Sequence, residues 1–478
     1  MAFLVRYFRI MKMNFSAVLV VGLVCSSAHS MAQAEPEVEK LKAAIHQLQV
    51  DFEKARQEHQ GQLEALSRKV AELSSKGQSA SASPTPVSEV VSTNDSKWSP
   101  AKPITVARSG SSYMNISFDA IVDGGWSTAS DPSRYLQLGD HDPIQRGFTL
   151  PNAEVALDGA VDPYFKGFAN LLFKLDGNNE TQVELEEAYL QTSSLPGNLQ
   201  VRAGQFLAAF GRQNAQHPHQ WSFVDSPIIL ARTLGPEGLR NPGAQISWLL
   251  PTPFYSEAIL GVFDGSGGTA YSFRNGGEDG TMHGRTTQDR ALSGAGDLLY
   301  VPRLATSFDI TDQQTLLLGT SAAFGPNLTS PDSRSEIYGV DLYWKWKSAT
   351  ARQGFPFVAW QSEGLYQRFG AGGDGISGLP AESLRDWGFY SQVLWGFRER
   401  WVAALRGEYA AGNTGLLDAT DLFRGDRHRI SPSLTFYPSE FSKIRLQYNR
   451  DDGASFGTDH SVWLQVEFLL GAHGSHQF

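Results

Sequence analysis

The sequence predicts an all-β protein: a 16-stranded antiparallel transmembrane β-barrel preceded by a short α-helical coiled coil. Three observations carry that prediction. Residues 104–478 hold sixteen runs that alternate with period two and no sustained helical stripe. The runs cluster around ten residues, the length a tilted strand needs to cross a bilayer. The connections between them alternate between short and long, as in bacterial outer-membrane barrels.

Taken in chain order, residues 1–34 read as a signal peptide. Arg6, Arg9 and Lys12 give a positive start, Phe15 to Cys25 an apolar core, and Ala32-Gln33-Ala34 a cleavage site. The core is too short for a membrane anchor. Val24 stands before Cys25, where a lipoprotein signal needs a small residue. Cleavage after Ala34 removes the one cysteine, so no disulfide is expected.

Residues 35–75 read as a periplasmic coiled coil. Val38, Leu41, Ile45, Leu48, Phe52 and Ala55 follow a 3,4 spacing, and the seam steps through His59 to Leu63, Leu66, Val70 and Leu73. Its two successive steps of four make a stutter, which locally relaxes the supercoil. A helix this short needs partners, and copies of itself are the simplest. Residues 76–103, rich in Ser, Pro, Thr and Ala, read as a flexible linker.

The predicted strands lie near 112–122, 149–159, 165–176, 181–192, 198–206, 243–250, 256–263, 300–309, 313–323, 335–347, 355–366, 386–396, 400–411, 427–437, 442–450 and 461–470. In 461–470, apolar Val462, Leu464, Val466 and Phe468 alternate with Trp463, Gln465 and Glu467. Aromatics at strand ends (Tyr164, Phe165, Tyr255, Trp344, Trp346, Trp395, Trp401, Tyr437) suit interfacial girdles against outer-membrane lipid. Run 181–192 fits worst, because Glu184, Glu186 and Glu187 can all face one side only across a bulge. Seven of the connections on one rim are short; on the other, 207–242 and 264–299 are the longest and 177–180 the one brief exception. An even strand count leaves both barrel ends, and the coiled coil, on the periplasmic short-turn side.

A barrel of this size is too wide for side chains to fill and leaves an aqueous channel, so function follows from its narrowest point. The connection Leu207–Pro242 is expected to fold inward. It carries Arg212, His217, His219, Arg232 and Arg240 as candidate constriction residues, beside Asp225 and Glu237. Arginines at a dry constriction favour anions. The alternative is that these side chains only anchor the loop to the wall. Lys174, Arg202, Arg406, Arg429 and Arg445 fall on lumen-facing parity.

No catalytic residue is assigned, since no GxSxG, HExxH or phosphate-cradling Gly loop occurs. No metal site or cofactor is expected. The pairs His217/His219 and His473/His476 match no structural zinc spacing, and no cysteine supports them. A net charge of −10 argues against nucleic acid as a partner.

The runs "NAEVALDGAVDPYFKGFANLLF" (152–173), "VELEEAYLQ" (183–191), "VRAGQFLAAFGRQN" (201–214) and "VEFLLGAHGSHQF" (466–478) resemble the phosphate-selective porin O/P family. Terminal Phe478 is similar to the signal read by the outer-membrane assembly machinery, although the last predicted strand stops near Leu470. The resemblance implies a homotrimer and diffusive passage of small anionic solutes. It does not carry phosphate selectivity over. The family's lysine cluster has no counterpart, because Lys166, Lys174, Lys345, Lys347 and Lys443 are the only lysines in the barrel. The expectation is therefore a passive porin-like channel. The alternative is a non-conducting barrel that tethers the outer membrane through its coiled coil.

Overall fold

The computed structural model describes residues 103–471 except 194, 278, 414 and 417–422. The signal peptide, the coiled coil, the linker up to residue 102, and the tail with His473, His476 and Phe478 lie outside the described residues.

Sixteen strands wind in chain order as an antiparallel meander. They are β1 (Ser112–Ser127), β2 (Gly147–Ala160), β3 (Phe165–Leu175), β4 (Thr181–Thr192), β5 (Leu199–Leu207), β6 (Arg240–Leu249), β7 (Tyr255–Phe263) and β8 (Leu299–Thr311). β9 (Gln314–Pro326), β10 (Arg334–Arg352), β11 (Phe355–Ala371), β12 (Glu382–Arg398), β13 (Trp401–Gly412), β14 (Arg427–Ser439), β15 (Ser442–Gly453) and β16 (Gly457–Leu470) complete the sheet. Pairing of β16 with β1, from Leu470↔Phe118 to Ser461↔Ser127, closes the barrel and leaves no open edge. A leading strand, Ile104–Ser109, pairs with β1 below the point where β16 ends.

All sixteen predicted runs coincide with these strands. The strands extend beyond the runs on the long-loop side, most of all in β1, β11, β12 and β16, whereas β10 gains most on the short-turn side, up to Arg352. Pairing on the long-loop side continues through Ser335↔Phe369 and Ala371↔Glu382. For the same reason the connection read as 451–460 shrinks to residues 454–456, because Asp451↔Asp459 and Gly453↔Gly457 stay paired.

The alternation resolves into a lipid-facing and an inward face. On β15, Ile444, Leu446 and Tyr448 are exposed outward, whereas Lys443, Arg445, Gln447 and Asn449 are buried inward. β16 repeats the pattern, with Val462, Leu464, Val466 and Phe468 outward and Gln465 and Glu467 inward. Apolar outside and polar inside is stable only with lipid around the wall, so this is an outer-membrane barrel. Trp395 and Tyr164 are exposed near the short-turn rim as a girdle requires. Tyr437 departs from its expected place: it shares the inward parity of Thr435 and packs against Phe355, Phe357 and Val402.

The bulge expected in run 181–192 is present. Asn170 pairs with Glu187 and Leu171 with Leu185, which leaves Glu186 as the extra residue. Glu186 and Glu187 are consequently both buried on the inner face.

Candidate functional site

The connection from β5 to β6, residues 208–239, folds into the lumen and meets the wall on three sides. Its start is set by Gly211, whose φ is +59° and whose Cβ, were there one, would run into Glu363. The backbone N–H of Gly211 donates to Ser321 Oγ (3.0 Å) and that of Gln213 to Glu363 Oε1 (2.7 Å). Further on, helix α1 (Ile228–Thr233) has every residue buried. It joins Phe206, Phe210, Leu234, Ile337, Leu365 and Tyr390 in an apolar core inside the barrel. Such burial at roughly 25 cal/mol per Å² is what holds a loop of this length in one conformation.

The first wall is basic. Inward-facing Arg406 (β13) and Arg429 (β14) converge on Asp225 of the loop. Arg406 donates to the Asp225 carbonyl (2.8 Å) and to its carboxylate, and Arg429 Nη1 lies 3.2 Å from Asp225 Oδ2. Glu408 Oε1 accepts from Arg429 Nε (2.7 Å) and forms an ion pair with Arg406, whose Nε lies 2.7 Å away. Gln447 and Asn449 donate to the remaining Asp225 positions (2.9 and 2.8 Å). Burial alone would raise the Asp225 carboxyl, but Arg429 and Arg406 hold it down at about 2. Next to it, burial and the charge of Asp225 push Asp142 up to about 6, against Arg429 and the N–H groups of Ser226 and Gly139. Lys443 donates to the His219 carbonyl (2.7 Å) and Arg445 to the Trp221 carbonyl (2.9 Å).

The second wall is acidic. β1 supplies Asp119, β2 Glu154 and the bulged β4 Glu186 and Glu187, all buried. His217 and His219 of the loop stack above them, ring centroids 5.7 Å apart and 11° from parallel. His217 Nδ1 lies 3.1 Å from Glu186 Oε2 and Nε2 lies 2.9 Å from Glu187 Oε2. His219 Nδ1 lies 3.1 Å from Asp119 Oδ2.

The third contact is looser. Arg212 sits over the Tyr343 ring at 3.9 Å and donates to Gln361 (3.3 Å), without a carboxylate at ion-pair distance among the described residues.

Of the candidate constriction residues, Arg212 thus keeps partial exposure, whereas His217, His219, Arg232 and Arg240 are buried. Arg232 donates to the Gly425 carbonyl (3.1 Å), and Arg240 pairs with Glu237 (2.5 Å) and Glu184 (3.6 Å). The candidate lumen residues all lie on the inward face. Lys174 pairs with Asp140 (2.5 Å) and Glu184 (3.5 Å), and Arg202 binds Gln191 (2.8 Å) over Tyr189. Sequence reading missed the meeting of the two loop histidines with Asp119, Glu154 and Glu186. Only the sheet register brings those strands together, and the one advance signal was the Glu184/Glu186/Glu187 bulge.

No family model matches the sequence. Among solved structures, the outer membrane channel DcaP of Acinetobacter baumannii superposes with a TM-score of 0.52, at 12% identity. The match covers 75% of this chain and 97% of that one. It shows a shared fold, that of a closed outer-membrane porin barrel. An uncharacterized protein of Aquifex aeolicus (strain VF5) is 34% identical over 375 residues, 73% of this chain and 74% of the relative. At that identity and coverage, the chain belongs to the same family as the Aquifex aeolicus protein.

Proposed function

We propose that this barrel is a porin-like channel, not an enzyme, through which small anionic solutes cross the outer membrane by passive diffusion. One observation carries the reading. On the short-turn half of the lumen, Arg212 and the inward-facing Lys345, Lys347, Lys166 and Arg202 have no ion-pair partner among the described residues. Among the described residues they outnumber the inward carboxylates of that half that take neutral hydrogen-bond donors rather than cations, Asp158, Glu257 and Asp309. Deeper in the lumen, by contrast, Arg303, Arg406, Arg429 and Lys443 are neutralised. Unpaired cations at a narrow, low-dielectric passage attract anions and repel cations. Phosphate belongs among the ions to be tried, and the homotrimer that the family resemblance implies is part of the same proposal.

A second reading has its own support. The apolar core that α1 builds inside the barrel suits a non-conducting barrel serving as an anchor or binding platform. The reversal potential of the purified full-length protein in a planar bilayer under a potassium chloride gradient decides between them. Anion-selective steps that shift toward cations in Arg212→Ala/Lys345→Ala support the channel. Silence from a folded, heat-modifiable barrel supports the platform.

A further inference from the structure

We propose that the inner wall formed by β1, β2 and β4 is a divalent metal site in which Glu154 bridges two ions. His217 and Glu186 bind one ion, and His219 and Asp119 the other. The proposal does not depend on conduction and applies equally to a channel or a platform.

Geometry is the first argument. Glu154 turns Oε1 toward His217 Nδ1 (3.8 Å) and Oε2 toward His219 Nδ1 (3.9 Å). Terminal carboxylates complete each set at 3.1 Å from the imidazole: Glu186 Oε2 for His217 and Asp119 Oδ2 for His219. Within each trio the donor atoms all lie within 4.8 Å of one another. A tetrahedral ion with bonds of about 2.1 Å separates its ligands by about 3.4 Å, so small side-chain movements seat one.

Burial and unused donors are the second. All five ligands are buried, Asp119, Glu154 and His219 to 1% exposure. Asp119 Oδ2 accepts no hydrogen bond from the described residues although it is shut away from solvent. Beside the trios, the buried Oδ1 atoms of Asn152 and Asn170 likewise accept none. Carboxylate oxygens held dry without donors are costly unless a cation meets them. Asp119, Glu154, Glu186, Glu187 and Glu467 crowd this wall, and Lys443 is committed to Glu467 at 2.6 Å.

The third argument is the support behind the ligands. Glu187 lies 2.9 Å from His217 Nε2. A carboxylate on the far nitrogen is the arrangement that holds a metal-binding histidine with its other lone pair forward. The β4 bulge makes this possible by turning adjacent residues inward, Glu186 as ligand and Glu187 as orienting acceptor. Imidazole with carboxylate suits zinc, manganese, iron or cobalt rather than calcium.

The test uses full-length protein purified in detergent, stripped with chelator, and titrated with Zn²⁺. Two ions per chain are expected. Glu154→Gln should lose both, Asp119→Asn one, and Glu187→Gln should bind roughly 10- to 100-fold more weakly. Heat-modifiable migration checks that each variant is a folded barrel. Should Glu154→Gln not fold, zinc K-edge absorption of the wild type decides: imidazole and oxygen neighbours support the site, and their absence overturns it. A folded wild-type barrel that keeps no zinc, or a folded Glu154→Gln that binds it undiminished, also overturns the proposal.

Discussion

The walls on either side of the β16–β1 closure meet the same loop with opposite charge. Around β13 and β14, arginines project inward and the loop answers with Asp225, so cations and carboxylates are matched by hydrogen bonds. Around β1, β2 and β4, carboxylates project inward and the loop answers with two histidines, which leaves an excess of acid. The difference teaches that one inserted segment can be a structural clamp at one place and an incompletely neutralised site at another. The clamp should resist change through tight pairing. The acidic side should be sensitive to what binds it.

The largest expected effect lies on the matched side. Asp225→Ala strips Arg406 and Arg429 of a shared partner inside the barrel. Removing one member of a buried charge cluster costs on the order of 3 kcal/mol or more. Denaturant unfolding should shift by that much, and protease should cut near residues 222–230 in the variant first. An unchanged midpoint would mean that Glu408 alone suffices to hold both arginines.

On the acidic side the opposite outcome is expected. Glu154→Gln relieves repulsion, so the metal-free barrel should keep its stability within about 1 kcal/mol of the wild type. What should vanish is the rise in Tm on adding Zn²⁺, since a ligand stabilises only the state that binds it. A Glu154→Gln barrel that loses stability as Asp225→Ala does would erase the distinction between the walls.

The pH dependence separates Asp225 and Asp142, which lie side by side. Asp225 is held at about 2, below its ordinary 3.8, so its contribution is present above about pH 4 and fades as pH falls toward 2. Asp142 is raised to about 6, so the folded barrel keeps its proton better than the unfolded chain does. Its favourable contribution is present below about pH 4 and is lost as pH rises through 6. Thermal midpoints of Asp142→Asn should lose the slope between pH 4 and 6 and retain the acid limb below it. A slope unaltered by the substitution would assign it elsewhere.

Much of this architecture was legible in the sequence, and the reason is physical. A wall between lipid and a polar lumen imposes period two on every strand, so runs such as 442–450 and 461–470 declare both faces at once. Glu184, Glu186 and Glu187 declared the bulge, since no regular strand can turn all three inward. The site itself was less legible. His217 and His219 looked like an isolated pair because Asp119, Glu154 and Glu186 join them only through sheet register. Arg212, Arg232 and Arg240 looked alike in the sequence. Only the folded loop separates Arg212, which rests on an aromatic ring, from Arg240, which is locked to Glu237.

That separation supports the smallest expected effect on stability and the sharpest on transport. Arg212 lacks an ion-pair partner among the described residues, so Arg212→Ala should leave the unfolding free energy within about 1 kcal/mol, the loss of a cation–π contact and one hydrogen bond. In a planar bilayer the same variant should shift the reversal potential toward cations, and Lys345→Ala should shift it further. Arg240→Ala should do the reverse, weakening the loop through the stranded Glu237 while leaving selectivity near the wild-type value. If Arg240→Ala moves the reversal potential and Arg212→Ala does not, solutes follow the buried ion pairs rather than the cations around Arg212.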